Sequence, residues 1–142
     1  MASLEYIRGL VARLADQVKC PERYLPTYGS SEDGARPHIE VNADGIHYVV
    51  VERGQELRRN TSRALDDVLY WIFADISFNL ACDYEVNHRR DGEDFRRQLF
   101  QYQGALLDQL NPEWAIRHNL EIRDILVANP FVDGPLGEQP GR

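Results

Sequence analysis

Cysteine is scarce in this chain: Cys20 and Cys82 are the only two, and they lie far apart. Two separated thiols make neither a disulfide framework nor a metal-finger spacing. With no signal-peptide pattern at the N-terminus, they are expected to be free and buried in a reducing compartment, the cytoplasm. Positive charge is also short. Sixteen basic residues stand against 23 acids, for a net charge of −7. Nucleic acid and anionic membranes are thereby disfavoured as main partners, because binding either draws on a basic surface. Lys19 is the single lysine and the other basic residues are arginines, which suits planar, bidentate ion pairs. No apolar run reaches the ~18–20 residues that a spanning helix needs.

Catalytic signatures are missing as well. The sequence has no Gly-x-Ser-x-Gly elbow, no phosphate-binding loop and no glycine-rich dinucleotide turn. Its histidines, His38, His47, His88 and His118, show no HExxH spacing and none adjoins a cysteine, so neither a metal nor another cofactor is expected. What remains is ordinary globular material. Hydrophobic residues make up 43% of 142 positions, enough for one domain with its own core.

The order of elements can be read from spacing. Leu4, Ile7, Val11, Leu14 and Val18 fall on one helical stripe. Ser3 is placed to cap this helix and Pro21 to stop it. Residues 21–36 are irregular, with Tyr24 to Tyr28 a candidate third strand at a sheet edge, where proline is tolerated. Ile39 and Val41 enter a hairpin whose Asn42-Ala43-Asp44-Gly45 turn supplies a glycine for positive φ. Its second strand, Ile46 to Glu52, is apolar on both faces from Tyr48 onward, so both faces should be covered.

Asn60 or Thr61 is expected to cap a long helix reaching about Asn87. Its middle, Val68 to Cys82, has few polar residues and reads as a buried central helix. Asp91-Gly92-Glu93-Asp94 opens the next helix, with carboxylates at its positive end and an apolar stripe of Phe95, Leu99, Tyr102, Leu106 and Leu110. Asn111-Pro112-Glu113 ends it and starts the last helix, whose inward face is expected to be Trp114, His118, Ile122 and Ile125. The expected fold is α+β and mainly helical: an N-terminal helix, a β-hairpin, then three helices. One domain should span residues 1–130, and a Gly/Pro-rich tail residues 131–142, frayed at its end.

Within this frame the best enzymatic candidates are acids of the long helix. Asp75, Asn79 and Asp83 share one face at i, i+4 and i+8, with Glu85 and His88 near the same end. Carboxylates in an apolar setting can act as acid and base. The competing reading is a polar line in which Asp75 meets an arginine, since buried charges are normally paired. A non-catalytic interaction module is a further alternative. The surface features that fit an interaction are two groups of acids, Glu32 and Asp33 in the irregular loop and Asp91, Glu93 and Asp94 at a helix start.

The stretches Leu69-Tyr70-Trp71-Ile72-Phe73, Ala81-Cys82-Asp83-Tyr84-Glu85, Gly92-Glu93-Asp94-Phe95-Arg96-Arg97 and Leu110-Asn111-Pro112-Glu113-Trp114 resemble a family of bacterial polymorphic-toxin immunity proteins, the one numbered sixty-three. The segment Tyr48-Val49-Val50-Val51-Glu52-Arg53-Gly54 fits the same pattern. The resemblance implies a protein that binds and neutralises a cognate toxin by stoichiometric contact, without catalysis. It implies no particular interface residues, because the matched motifs are core and capping residues. An acidic domain suits a basic toxin, as fast association is steered by opposite charge.

Overall fold

Ser3 accepts a hydrogen bond from the Tyr6 N–H and so starts helix α1, Leu4–Gln17, in a computed structural model that describes residues 1–135. A single 3-10 turn follows at Glu22–Tyr24, then strands β1 (Thr27–Tyr28), β2 (His38–Asn42), β3 (Gly45–Glu52) and β4 (Gln55–Ser62). Helices α2 (Leu65–Asn87), α3 (Phe95–Leu110) and α4 (Pro112–Ala128) complete the described chain. Among the described residues helix outweighs strand, 54% to 18%, so the α+β, mainly helical class is as expected. The chain divides into two compact units, residues 1–76 and 77–142, with the division inside α2.

In the first unit the sheet order is β1-β2-β3-β4. The edge strand anticipated near Tyr24–Tyr28 is the two-residue β1, parallel to β2. The hairpin forms with Asn42 opposite Gly45, leaving Ala43-Asp44 as its loop. Glycine is required at 45: its φ is +144°, and a Cβ there would lie 3.1 Å from the Ser62 carbonyl oxygen.

The expectation that Asn60 or Thr61 opens a helix is corrected. Gln55–Ser62 is a strand, antiparallel to β3, and α2 begins only at Leu65. Its start is organised by Ser62, whose Oγ accepts from the Ala64 N–H and donates to Asp67. The turn into β4 is Arg53-Gly54, both with positive φ, at 54° and 74°, the combination that matches the twist of a two-residue hairpin. A mostly polar strand, with Leu57 its one large apolar residue, holds here because it pairs with β3 along its length. Arg58 lies over the Tyr48 ring at 4.8 Å and binds Asp75 at 3.0 Å.

Buried side chains of this unit include Ile7 and Val11 from α1, Ile39, Ile46, Tyr48 and Val49 from the sheet, and Val68, Tyr70, Ile72, Phe73 and Ile76 from α2. α1 lies against β2. α2 buries Val68 to Tyr70, Ile72, Phe73 and Ile76, but the expected enclosure on all sides from Val68 to Cys82 is corrected: Trp71, Leu80 and Cys82 are half-buried and Phe78 is 45% exposed.

In the second unit α3 packs along α4. The buried face of α3 is Gln98, Leu99, Gln103 and Leu107, so the expected stripe is displaced: Leu106 is half-buried, and Leu107 takes its place. On α4 the buried residues are Trp114, Ala115 and His118, with Ile122 half-buried and Ile125 exposed. Asn111 caps α4 through the Glu113 N–H, and Pro112 occupies its first turn, as anticipated. Cys20 and Cys82 are free, but half-buried where full burial was expected.

His118 has a measurable consequence. It is 4% exposed, and its Nε2 has no hydrogen-bond partner. Burial therefore pushes its pKa below the ordinary 6.5. A folded pKa below the unfolded one means that the unfolded chain binds the extra proton, so stability is retained above pH ~6.5 and falls as pH drops below it. Urea midpoints of wild type and His118→Leu, compared at pH 8 and pH 5.5, should show a smaller acid-side loss in the variant. Equal losses would remove His118 as a source of the pH dependence.

Candidate partner-binding surfaces

Of the acids weighed for catalysis, Asp75 and Glu85 are engaged within the fold, and Asp83 is half-buried on the same helix. Asp75 accepts hydrogen bonds from the Tyr48 hydroxyl at 2.5 Å and from Arg58 Nη1 at 3.0 Å. Burial first, then the neighbouring Asp75 carboxylate, hold the Tyr48 pKa well above 10, so the phenol keeps the proton it donates. Glu85 is buried and meets Arg89 at 3.5 Å. His88 stacks on Tyr84 and sits 2.9 Å from its carbonyl. His47 lies between Thr61 Oγ1 and Asn42 Oδ1, at 2.7 and 2.8 Å. His38 Nε2 is 2.6 Å from Glu40, whose carboxyl is lowered mainly by that contact. Among the described residues, no group of three or more His, Cys, Asp and Glu side chains has the arrangement to hold a metal ion.

The acids of the irregular loop have structural tasks that their sequence did not show. Asp33 takes a positive φ of 58°, donates its N–H to Ser31 Oγ, and accepts the Gly54 N–H at 2.7 Å. The Ala35 N–H donates to the Val51 carbonyl, and Gly34 bridges to Glu52. These bonds fasten residues 33–35 to the β3–β4 turn. Glu32 pairs with Arg36 at 3.3 Å, and Arg36 also donates to the Leu25 and Glu22 carbonyls. The result is one exposed tip carrying Glu32, Asp33, Glu52 and Arg53, with Leu57 58% exposed beside a shallow recess. The turn and Leu57 were not singled out from sequence. The available signal was indirect: a strand apolar on both faces, like β3, is typical of the interior of a sheet, where it has a neighbour along each edge.

At the second acidic group the three residues separate. Asp91 is exposed, and Glu93 is half-buried and within 3.6 Å of Arg90. Asp94 is corrected as an exposed contact residue, because it is wholly buried. It is the N-cap of α3, accepting the Arg96 N–H, the Arg96 guanidinium at 2.8 Å and the Val132 N–H at 2.8 Å. Burial raises its pKa, but the hydrogen bonds from Arg96 and these backbone N–H groups outweigh that and bring it down to about 2.

The chain beyond α4 is latched onto the same helix start. Asp133 accepts the Asp94 N–H and a two-point contact from Arg97 at 2.9 and 3.0 Å. Arg97 lies 4.2 Å over the Phe131 ring, and Arg96 binds the Asn129 and Pro130 carbonyls. Of the segment expected to be a tail, residues 131–135 are thus described; its expected frayed end lies outside the described residues.

No helix of the described chain is long and apolar enough to cross a membrane. Neither the curated proteins nor the solved structures offer a match to this sequence. A family profile does match, over residues 42–124, from the hairpin turn through most of α4 and thus more than half of the chain. The matched span takes in the β3–β4 turn, the buried helix α2 and the Asp94 cap together, and on that basis the chain belongs to the family Immunity protein 63.

Proposed function

We propose that the protein is the immunity partner of a polymorphic bacterial toxin, delivered by a neighbouring cell or made by its own, and that it neutralises the toxin in the cytoplasm by stoichiometric contact. Membership of the immunity family carries this reading. The structural use of Asp75, Glu85 and His88 supports a non-catalytic mode, since each is engaged within the fold. The net charge of −7 favours a basic toxin domain over nucleic acid or membrane. The proposed contact acids are Glu32, Asp33, Asp91 and Glu93, with the tip at Glu32 and Asp33 the stronger because Leu57 gives it an apolar centre within a charged rim.

Co-expression tests the function directly. A candidate toxin domain, taken from the C-terminus of a large neighbouring reading frame, should kill when produced alone, and should be tolerated and recovered in a one-to-one complex when this chain is present. Killing that persists despite abundant folded protein would overturn the reading.

Kinetics test the tip. Asp33 holds the Gly54 N–H, so reversing its charge would disturb the loop as well as the surface. Glu32→Lys with Asp33→Asn removes charge while leaving an acceptor in place. Rim charges act chiefly on the association rate, so this double variant should associate several-fold more slowly at low salt, and its salt dependence should be flatter. Rates equal to wild type at two ionic strengths would take this loop out of the interface.

A further inference from the structure

The second unit contains a recess that the fold does not use. Tyr84 lies with its ring centre 4.0 Å from those of both His88 and Tyr102, tilted by 14° and 9°. Two rings cannot share one face at that distance, so Tyr84 is the middle of a three-ring stack. Tyr84 and Tyr102 help to line a recess of about 230 Å³ whose other walls are Arg90, Gln98, Gln101 and Ala105. Ligand pockets for drug-sized molecules or cofactors run to roughly 300–1,000 Å³. This one is smaller and has the scale of a single large side chain.

Its chemistry narrows the occupant. Tyr102 and Ala105 offer aromatic and apolar wall, and Arg90 is an exposed guanidinium at its edge, suited to the face of a ring. The amide of Gln98 is 5% exposed. Its Nε2 donates to the His88 carbonyl at 2.9 Å, which fixes the amide, while Oε1 is buried without a partner. A buried acceptor left unsatisfied is costly, and here it belongs to a residue lining an aromatic recess. An aromatic ring bearing an N–H or O–H donor supplies both things the site lacks. An anion fits poorly, because Arg90 already has Glu93 beside it and the orphan group is an acceptor.

We propose that this recess is an anchor pocket for a tryptophan or tyrosine side chain of the protein partner, its ring against Tyr102 and its donor to Gln98 Oε1. That the partner is the toxin rests on the function proposed above. The pocket itself rests on the recess and the orphan acceptor. Anchors of this kind, aromatic and seated in a pocket, carry much of the binding energy in protein interfaces.

The probe is indole, titrated into the intact chain and followed by NMR at the Gln98 side-chain amide and the Tyr102 ring, with 1-methylindole and acetate as controls. Indole should shift both signals. 1-Methylindole should bind about 2- to 10-fold more weakly, the value of one hydrogen bond. Acetate should leave the recess signals unmoved. Ala105 is exposed on α3, so Ala105→Leu should fill the recess with the fold intact by circular dichroism, and should abolish the indole shifts. No shift in wild type, equal binding of both indoles, or undiminished binding by Ala105→Leu would each overturn the pocket. Ala105→Leu should also weaken the complex with the toxin domain. If indole binding is lost but the toxin complex is unchanged, the anchor role is wrong while the immunity function stands. If wild type takes up indole in the recess and binds no toxin, the function fails and the site remains.

Discussion

Asp94→Ala should be among the most damaging single changes in this protein, at about 3–5 kcal/mol, the range for removing one partner of a buried ion pair. The side chain is wholly buried and its carboxylate serves three groups together: the first turn of α3, the Arg96 guanidinium and the Val132 N–H. A helix cap alone contributes about 1 kcal/mol; the larger figure arises because Arg96 loses its counter-ion in a half-buried setting. Asp94→Asn should cost less, since it keeps an oxygen for the cap. The pH dependence has a defined sign. The folded pKa of about 2 lies below the ordinary 3.8, so the stabilisation is complete above pH ~4 and is lost as pH falls toward 2, on the order of 2 kcal/mol in all. Denaturant unfolding between pH 7 and pH 2 measures both effects. Hydrogen exchange should show Val132 and Gly134 losing protection in the alanine variant. An unchanged midpoint together with unchanged protection would mean that the latch contributes nothing.

The same residue shows where the sequence was legible and where it was not. Asp94 was readable as a helix start, because a carboxylate before an apolar stripe is a local signal. Its burial was not, because that depends on Asp133 and Val132, nearly forty positions away along the chain. Asp33 repeats the pattern: in the loop it carried no evident duty, and its acceptor role exists only because the Arg53-Gly54 turn comes to meet it. The acids that drew attention by their charge are thus partly fold-building groups. What leaves Glu32 and Asp91 as surface candidates is exposure, which periodicity does not report for loops.

The elements were legible wherever apolar spacing was strong. α1, the β2–β3 hairpin, the buried α2 and the Asn-Pro-Glu junction between α3 and α4 all carry local signals for one conformation. β4 does not. Gln55 to Ser62 has a single large apolar residue, Leu57, and no alternation, and its conformation is imposed by pairing with β3 and by the Arg58–Asp75 contact. The register irregularity between Val50 and Val51 blurs the alternation further. Tertiary context of this kind overrides strand propensity. The recess at Tyr84 and Tyr102 was also out of reach. Tyr102 read as a helix-face residue and Tyr84 only as part of a motif, and only the folded chain stacks them and leaves the Gln98 side-chain Oε1 without a partner.

Phe73→Ala and Leu107→Ala should each cost several kcal/mol where the nearby Trp71→Ala and Leu106→Ala cost much less. Spacing and composition made Trp71 and Leu106 the natural core candidates, but both are half-buried, whereas Phe73 and Leu107 are fully enclosed. Truncation of an enclosed side chain removes its transfer energy and leaves a cavity, at about 3–5 kcal/mol for Phe→Ala and 2–5 for Leu→Ala. A half-buried side chain loses less area, and water or neighbours fill the gap, so Trp71→Ala and Leu106→Ala should cost about 1–2 kcal/mol. On α3 the difference follows from geometry. Leu99, Gln103 and Leu107 repeat at four-residue intervals on the buried face, and Leu106 stands one position off it. Urea unfolding of the four variants decides the matter through the midpoint at unchanged slope. If Leu106→Ala were the costlier of its pair, the face of α3 would be rotated by one residue from that described, and the recess beside Tyr102 and Ala105 would move with it.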